Sequence, residues 1–305
     1  MKRFNSVSNF YKEKFGCKVY KISLDAGCTC PNRDGTKAVG GCIFCSASGS
    51  GDFAANSKVS IAEQVGEAKE RVLSKNKNGK FIAYFQNFTN TYGNPSELAK
   101  KYNEAISQSD IVGISIATRP DCLSDEILEE IKNLTKKTFV TIELGFQTSK
   151  ESTANYIHRF FSNDEYQNAI KKIKAISDDI HVVTHLIFGL PGETEKDMIN
   201  SVEFCVKSKT DGIKIALLHV LKGTKLAEDY EKNKFSCMDM DEYFNVLGNA
   251  LKIIPENVVI HRLTGDGAKK ILIAPLWTAQ KKSVHNAMNK YFEKIDLYQG
   301  SDLKK

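Results

Sequence analysis

Short runs of β-branched and aromatic residues recur at 19–25, 81–86, 111–117, 139–146, 182–189 and 213–220, and between them apolar residues return at helical spacing. The runs at 111–116 and 213–218 are apolar almost throughout, as strands covered on both faces are. This alternation predicts βα units around a parallel sheet. Helix starts fall between the strands: Pro95-Ser96-Glu97 opens one and Leu123-Ser124-Asp125-Glu126 another. Thr194 to Asp197 reads as a capping box in which Asp replaces the usual Glu. Six such units of roughly 30 residues each predict an α/β fold, a partial (β/α)6 barrel of the TIM type, with its chemistry at the C-terminal ends of the strands. After about Pro255 the pattern changes to a strand-like 258–263, the turn Gly265-Asp266-Gly267 and a Lys-bearing helix over 280–294. Residues 1–221 are read as the barrel core, with a loop of special interest at 27–46, and 222–305 as a small α+β C-terminal extension that binds substrate over the mouth.

Length and composition narrow the class. A chain of 305 residues holds one large domain, or one with an appendage, and 41% hydrophobic with 26% charged residues is globular usage. No run approaches the ~18 apolar residues of a membrane span. The opening MKRFNSVSNFYKEKFG carries charge where a signal peptide is apolar, which predicts a cytoplasmic protein. Without an export signal, eight cysteines point to metal or redox chemistry rather than a disulfide framework. The net charge of +6 permits an anionic partner without demanding one.

Cys30, Cys42 and Cys45 form C-x11-C-x2-C in a loop just after the first strand. Thiolates ligate zinc and iron–sulfur clusters, and three of them leave a closed site one ligand short. Gly35, Gly40 and Gly41 let the backbone wrap such a group closely. Cys28 offers the alternative of a four-thiolate structural zinc site. Structural zinc usually staples a module too small to fold alone, whereas this loop lies at the mouth of a large domain, which favours an open catalytic centre. Cys17, Cys122, Cys205 and Cys237 are scattered and read as packing residues. Neither G-x-G-x-x-G nor G-x-x-x-x-G-K-[ST] occurs, so dinucleotide and P-loop readings lack support.

The loop GCTCPNRDGTKAVGGCIFC resembles the cluster loop of radical S-adenosylmethionine (SAM) enzymes, specifically the YhcC-like family within the elongator/NifB-type group. FQNFTNTY, TRPDCL, ELGFQTS, HLIFGLPGET, HRLTGD and APLW extend the resemblance, in order, through most of the chain. The resemblance implies a 4Fe-4S cluster on Cys30, Cys42 and Cys45, with the fourth iron chelating the SAM amino and carboxylate groups. One electron then cleaves SAM to methionine and a 5′-deoxyadenosyl radical that abstracts hydrogen from substrate. Cys30 is taken as first ligand because Pro-Asn-Arg-Asp-Gly follows it, which leaves Cys28 to packing.

For SAM the resemblance implies Phe44, Gln147 at the ribose hydroxyls, Arg159 at the methionine carboxylate and Gly189, in Gly189-Leu190-Pro191-Gly192, beside the adenine. The Gly-Gly-Glu that binds the amino group in many relatives is replaced by Gln86 to Thr91, which leaves Gln86 or Asn90 for that contact. Glu143 faces the lumen if its strand alternates, and needs a lysine, Arg159 or the SAM amino group as partner. His219, Arg262, Asp266, Trp277 and Lys281 are the substrate candidates. By family association alone the substrate is a tRNA wobble uridine, in an MnmL-type conversion of a carboxymethylaminomethyl to an aminomethyl group, with a flavodoxin- or ferredoxin-like one-electron reductant. A small-molecule or protein substrate is the alternative within the chemistry. A non-catalytic Fe–S or zinc protein that binds nucleic acid or transfers electrons is the alternative outside it.

Overall fold

Each of the expected strands is present in the computed structural model, which describes residues 3–47, 49, 57–73, 79–265, 267 and 269–304. The chain runs α1 (Val7–Phe15), β1 (Val19–Leu24), α2 (Ile61–Leu73), β2 (Lys80–Phe85), α3 (Pro95–Ile106), β3 (Ile111–Thr118), α4 (Asp125–Thr135), β4 (Phe139–Gln147), α5 (Glu151–Tyr156) and α6 (Asn163–Ile176). It continues through β5 (His181–Phe188), α7 (Glu195–Lys207), β6 (Gly212–Leu217), β7 (Val220–Leu221), α8 (Lys225–Glu231), α9 (Met240–Ile253), β8 (Val259–Arg262), β9 (Leu272–Ala274) and α10 (Lys281–Lys294). Helix starts are set by side chains, as read from sequence: Ser124 caps α4, and Thr194 and Asp197 form both halves of a capping box on α7. The shorter Asp suffices because its Oδ2 reaches the Thr194 backbone N–H at 2.8 Å.

Seven parallel strands in the order β1-β2-β3-β4-β5-β6-β8 make a curled half-barrel sheet. Alternate residues divide between its faces. On one parity Phe81, Ala83 and Phe85 of β2 join Ile114, Ile116, Ile142 and Leu144 in one core with Tyr102 of α3, Ile131 of α4 and Tyr166 of α6. Each large buried side chain among them contributes about 1.5–3 kcal/mol, which holds the helices against the outer face. The opposite parity carries Lys21, Tyr84, Ser115, Glu143, His185 and Lys214, which bond to one another across the lumen. At the N-terminal end of the strands α1 packs against the lumen: Phe10 stacks on His181 at 4.9 Å and Tyr11 is buried beside Phe139 and His261.

Two features differ from the sequence expectation. The run at 213–220 is not one strand: β6 ends at Leu217, the Leu218 N–H bonds to Phe188 O, and β7 pairs antiparallel with β9. The run holds no Gly, Pro or Asn to mark that break. The first strand of the extension, β8, which follows α8 and α9, joins the main sheet as its seventh member, beside β6. Its outer edge is covered by the N-terminal segment, since Ile260 N–H donates to Asn5 O at 2.7 Å. Gln299 locks this arrangement, accepting from Asn5 N–H and donating to the Pro255 and Val258 carbonyls.

Candidate active site

The loop after β1 is shaped by its backbone. Arg33 and Asp34 N–H turn back on Cys30 O, and Cys45 N–H bonds to Cys42 O. Gly41 sits at φ +87°, where a Cβ would also approach the Arg33 guanidinium to 3.0 Å. Asn32, fully buried, donates to His158 O at 2.8 Å and to Cys42 Sγ at 3.5 Å, tying the loop to the turn after α5. His158 and Phe160 in that turn hold left-handed backbone at φ 58° and 56°.

Cys30, Cys42 and Cys45 line one cavity of about 300 Å³ at the C-terminal ends of the strands. A hydrogen bond with Cys45 pulls the Cys42 thiol down to about 7, and the same bond pushes Cys45 well up. Arg119 and Arg33 are the cations that act on these sulfurs. Among the described residues no three His, Cys, Asp or Glu side chains converge tightly enough to hold a single metal ion, so the fit rests on donor chemistry. An all-sulfur set on a loop free of side-chain bulk at Gly41 suits an iron–sulfur cluster, and three thiolates leave one iron for another ligand. Cys28 packs against the main core instead, its thiol pushed up to about 11 by burial. Of the scattered cysteines Cys205 is buried and Cys17, Cys122 and Cys237 are half-buried.

Below the cysteines the lumen closes on Glu143, which is 0% exposed. Its Oε1 accepts from Lys21 and from Ser115 Oγ at 2.6 Å, and its Oε2 from Tyr84 OH at 3.1 Å, His185 Nε2 at 2.5 Å and Lys214 Nζ at 3.2 Å. Burial alone would raise this carboxyl, but Lys21, Lys214 and His185 hold it well below the usual range. Burial, with Lys214 beside it, lowers His185 to about 4, so the ring is neutral and donates its N–H. Burial and Arg262 lower Lys214 to about 8 against the pull of Glu143.

A second cavity of about 340 Å³ adjoins the first, the two sharing Phe44, Cys45, Gln86, Ile187, Ala216 and Arg262 in their walls. His219 lines it, its Nε2 3.1 Å from Thr278 Oγ1. The Gly265 and Gly267 backbone clasps the ring so closely that a Cβ would stand 2.4 Å from His219 Cε1 at the first position and 2.8 Å from Cδ2 at the second.

The two cavities therefore bring together Cys30, Cys42, Cys45, Phe44, Gln86, Glu143, Gln147, His219 and Arg262. Gln147 is held at φ +68°, next to a register shift between β4 and β5. Other expected residues lie elsewhere. Asn90 is buried, with its amide on the Phe85 and Ala117 carbonyls. Arg159, expected at the methionine carboxylate, is 1% exposed and spends its guanidinium on the Phe161, Phe146 and Thr148 carbonyls, Glu151 and Asn163. It also is not the partner of Glu143, a place taken by Lys21, Lys214 and His185. Gly189 lies in a separate groove, covered by Met238. Trp277 anchors the extension, its Nε1 donating to Met238 O and its ring near Tyr243 and Phe244, and with Lys281 it lines a void too small for substrate. Asp266 lies outside the described residues. Arg119, Tyr84, His185 and Lys214 line the cavity without having been singled out from sequence. The available signal was a polar residue on the parity of Glu143 inside an otherwise apolar strand, as in His185 and Lys214.

Comparison with known proteins identifies the family. The model of the Radical SAM superfamily matches residues 30–205, and that of the Radical_SAM C-terminal domain matches residues 210–294. The chain is 42% identical over 299 residues to the uncharacterized protein YtqA of Bacillus subtilis, covering 98% of this chain and 92% of that one. It is 32% identical over 303 residues to protein YhcC of Escherichia coli, covering 99% and 96%. A tRNA uridine(34) acetyltransferase of Methanocaldococcus jannaschii is 26% identical over 202 residues, 65% of this chain and 36% of that protein. Among solved structures, Methanocaldococcus infernus Elp3 superposes with a TM-score of 0.69 at 18% identity, over 92% of this chain and 64% of that one. Among the described residues no helix is long and apolar enough to cross a membrane.

Proposed function

We propose, since the chain belongs to the radical SAM superfamily and its cofactors are a 4Fe-4S cluster and SAM, that it remodels the side chain of a tRNA wobble uridine, converting a carboxymethylaminomethyl to an aminomethyl group: the arm's CH2 gives a hydrogen atom to the 5′-deoxyadenosyl radical and an electron to a one-electron acceptor, and water cleaves the resulting imine to release glyoxylate. The observation that carries this reading is the pair of adjoining cavities, about 300 and 340 Å³, that lead from the three cysteines past the lumen to His219, where SAM and one splayed base would sit side by side. Similarity to a tRNA uridine(34) acetyltransferase supports the choice of substrate.

Cys30, Cys42 and Cys45 would hold the cluster, which when bound supplies the electron that cleaves SAM. Arg119 lines the cavity with its Nε and Nη2 held by Asp121 and its Nη2 also on Arg159 O, and the remaining edge of this fixed guanidinium takes the methionine carboxylate in place of Arg159. Gln86 and Gln147 bind the amino group and ribose, and Phe44, Phe88, Phe161 and Ile187 exclude water from the reacting centre. His219, fixed by Thr278 and the two clasping glycines, moves a proton at the substrate. The 222–305 portion completes the substrate site, and lysines of α10 such as Lys281 and Lys282 meet RNA phosphates. A flavodoxin- or ferredoxin-like protein of the cytoplasm delivers the electron. Mass spectrometry of wobble nucleosides from cells lacking the gene tests the reading: carboxymethylaminomethyl uridine should accumulate at the expense of the aminomethyl form. An unchanged profile while the protein is expressed in wild type overturns it.

A further inference from the structure

The cavity has two cationic stations, one beside the cysteines and one at the floor of the lumen. Arg119 and Arg33 act on the cysteines at the outer end. At the floor, Lys21 and Lys214 share Glu143, and Arg262 stands close enough to act on Lys214 and on Tyr84. His185 and Tyr84 bond to the same carboxylate as neutral donors. The floor thus sets two lysines on one carboxylate, Lys214 also donating to Tyr84 OH at 3.0 Å. An excess of lysine charge in a desolvated lumen is costly, and it persists where an incoming anion completes the set. SAM must reach the cysteines to chelate a cluster there, which places its own carboxylate at the outer station.

We infer that the floor station, Lys214 with Arg262, binds a carboxylate carried by the substrate. Glu143 and Lys21 are positioning residues: the carboxylate holds Lys214 by a 3.2 Å contact while its other oxygen is occupied by Lys21 and Ser115. Arg262 lines both cavities, so an anion bound there sits where the substrate space meets the cofactor space. This inference rests on the proposed reaction for the identity of the substrate, whose carboxymethyl arm ends in such a group, but not for the existence of the site.

The test uses anaerobically reconstituted holoprotein, wild type and Lys214→Met, with four probes: anticodon stem-loops carrying carboxymethylaminomethyl or aminomethyl uridine, N-methylglycine, and SAM. Wild type should bind the carboxylate-bearing stem-loop roughly 10–100-fold more tightly than its partner, the range of a charge-assisted hydrogen bond. Lys214→Met should lose that preference and keep the aminomethyl affinity. N-methylglycine should raise the thermal midpoint of wild type saturably and leave Lys214→Met unmoved, while SAM affinity stays within about twofold. If neither stem-loop binds but N-methylglycine does so through Lys214, the anion station stands and the tRNA reading falls. Equal binding of the two stem-loops, a SAM affinity that collapses in Lys214→Met, or no Lys214-dependent response to N-methylglycine each overturns the station.

Discussion

The two ends of the cavity are built in opposite ways. The cysteine end is made by one stretch of chain, in which turns, left-handed glycines and the buried Asn32 amide set where three sulfurs stand. The floor is made by single side chains from six strands, Lys21, Tyr84, Ser115, Glu143, His185 and Lys214, each held by the sheet behind it. A loop can present a soft, multi-atom group because its backbone can bend round it. A sheet fixes charge in place because its strands cannot move apart without breaking their ladders.

This contrast can be broken at either end, and the largest effect is at the loop. Replacing Cys30, Cys42 or Cys45 by Ala should abolish the cluster, and Cys28→Ala should leave it, as read by iron content and visible absorption of anaerobically reconstituted protein. Loss of iron in the Cys28 variant alone would reassign the ligands.

At the floor the expected effect is on folding. Glu143→Ala strands two lysines that share its carboxylate and should cost about 3–5 kcal/mol in denaturant titration, as breaking a buried ion pair does. An unchanged midpoint would show that the lumen is wetter than its burial implies. Arg159→Ala, which empties carbonyls rather than a ligand site, should destabilise by ~2–4 kcal/mol while SAM affinity in the surviving folded protein holds. Arg119→Ala should do the reverse, weakening SAM by ~1.5–3 kcal/mol; the opposite pattern would return Arg159 to the site.

The pH dependence has a definite sign. Burial lowers His181 and His185 to about 4, below the ordinary value near 6.5, so both are stabilised neutral in the fold. Their contribution is present above about 6.5 and is lost as pH falls toward 4. Glu143, held low by its lysines after the opposing effect of burial, extends the loss below the ordinary carboxylate range. Unfolding midpoints should therefore fall between pH 6.5 and 4, less steeply in His181→Gln. The smallest effect belongs to the clasp: Gly265→Ala collides with His219 and should cost about 1–2 kcal/mol, and combining it with His219→Ala should recover much of that loss.

What was legible in the sequence follows the same division. The cysteine loop, the strands and the caps at Ser124 and Thr194 each occupy neighbouring residues, so local pattern reveals them. The floor does not announce itself, because each strand gives one polar residue and only closure of the sheet shows that they meet. Glu143 was identified by alternation, whereas its partners Lys21 and Lys214 required the register of strands far apart in the chain. Adjacency of Arg159 to ELGFQTS could not show that its guanidinium turns inward onto the Phe146 and Thr148 carbonyls. The seventh strand was visible as a strand but not as a member of the main sheet, since that pairing spans the whole α8–α9 segment.

The Gln299 clamp has a consequence for the order in which the molecule is made. Its amide joins Asn5, Pro255 and Val258, so the bond that seals the outer edge of β8 links residues 294 positions apart. On a ribosome the first helix emerges long before its lock, and for most of synthesis the nascent sheet has an unsealed edge. Contacts of such long sequence separation form last and slowly. Vectorial synthesis therefore makes Gln299 a late latch on the segment at Asn5, and a chain stopped just short of Gln299 would leave the ribosome without the clamp that holds that segment over the edge of β8.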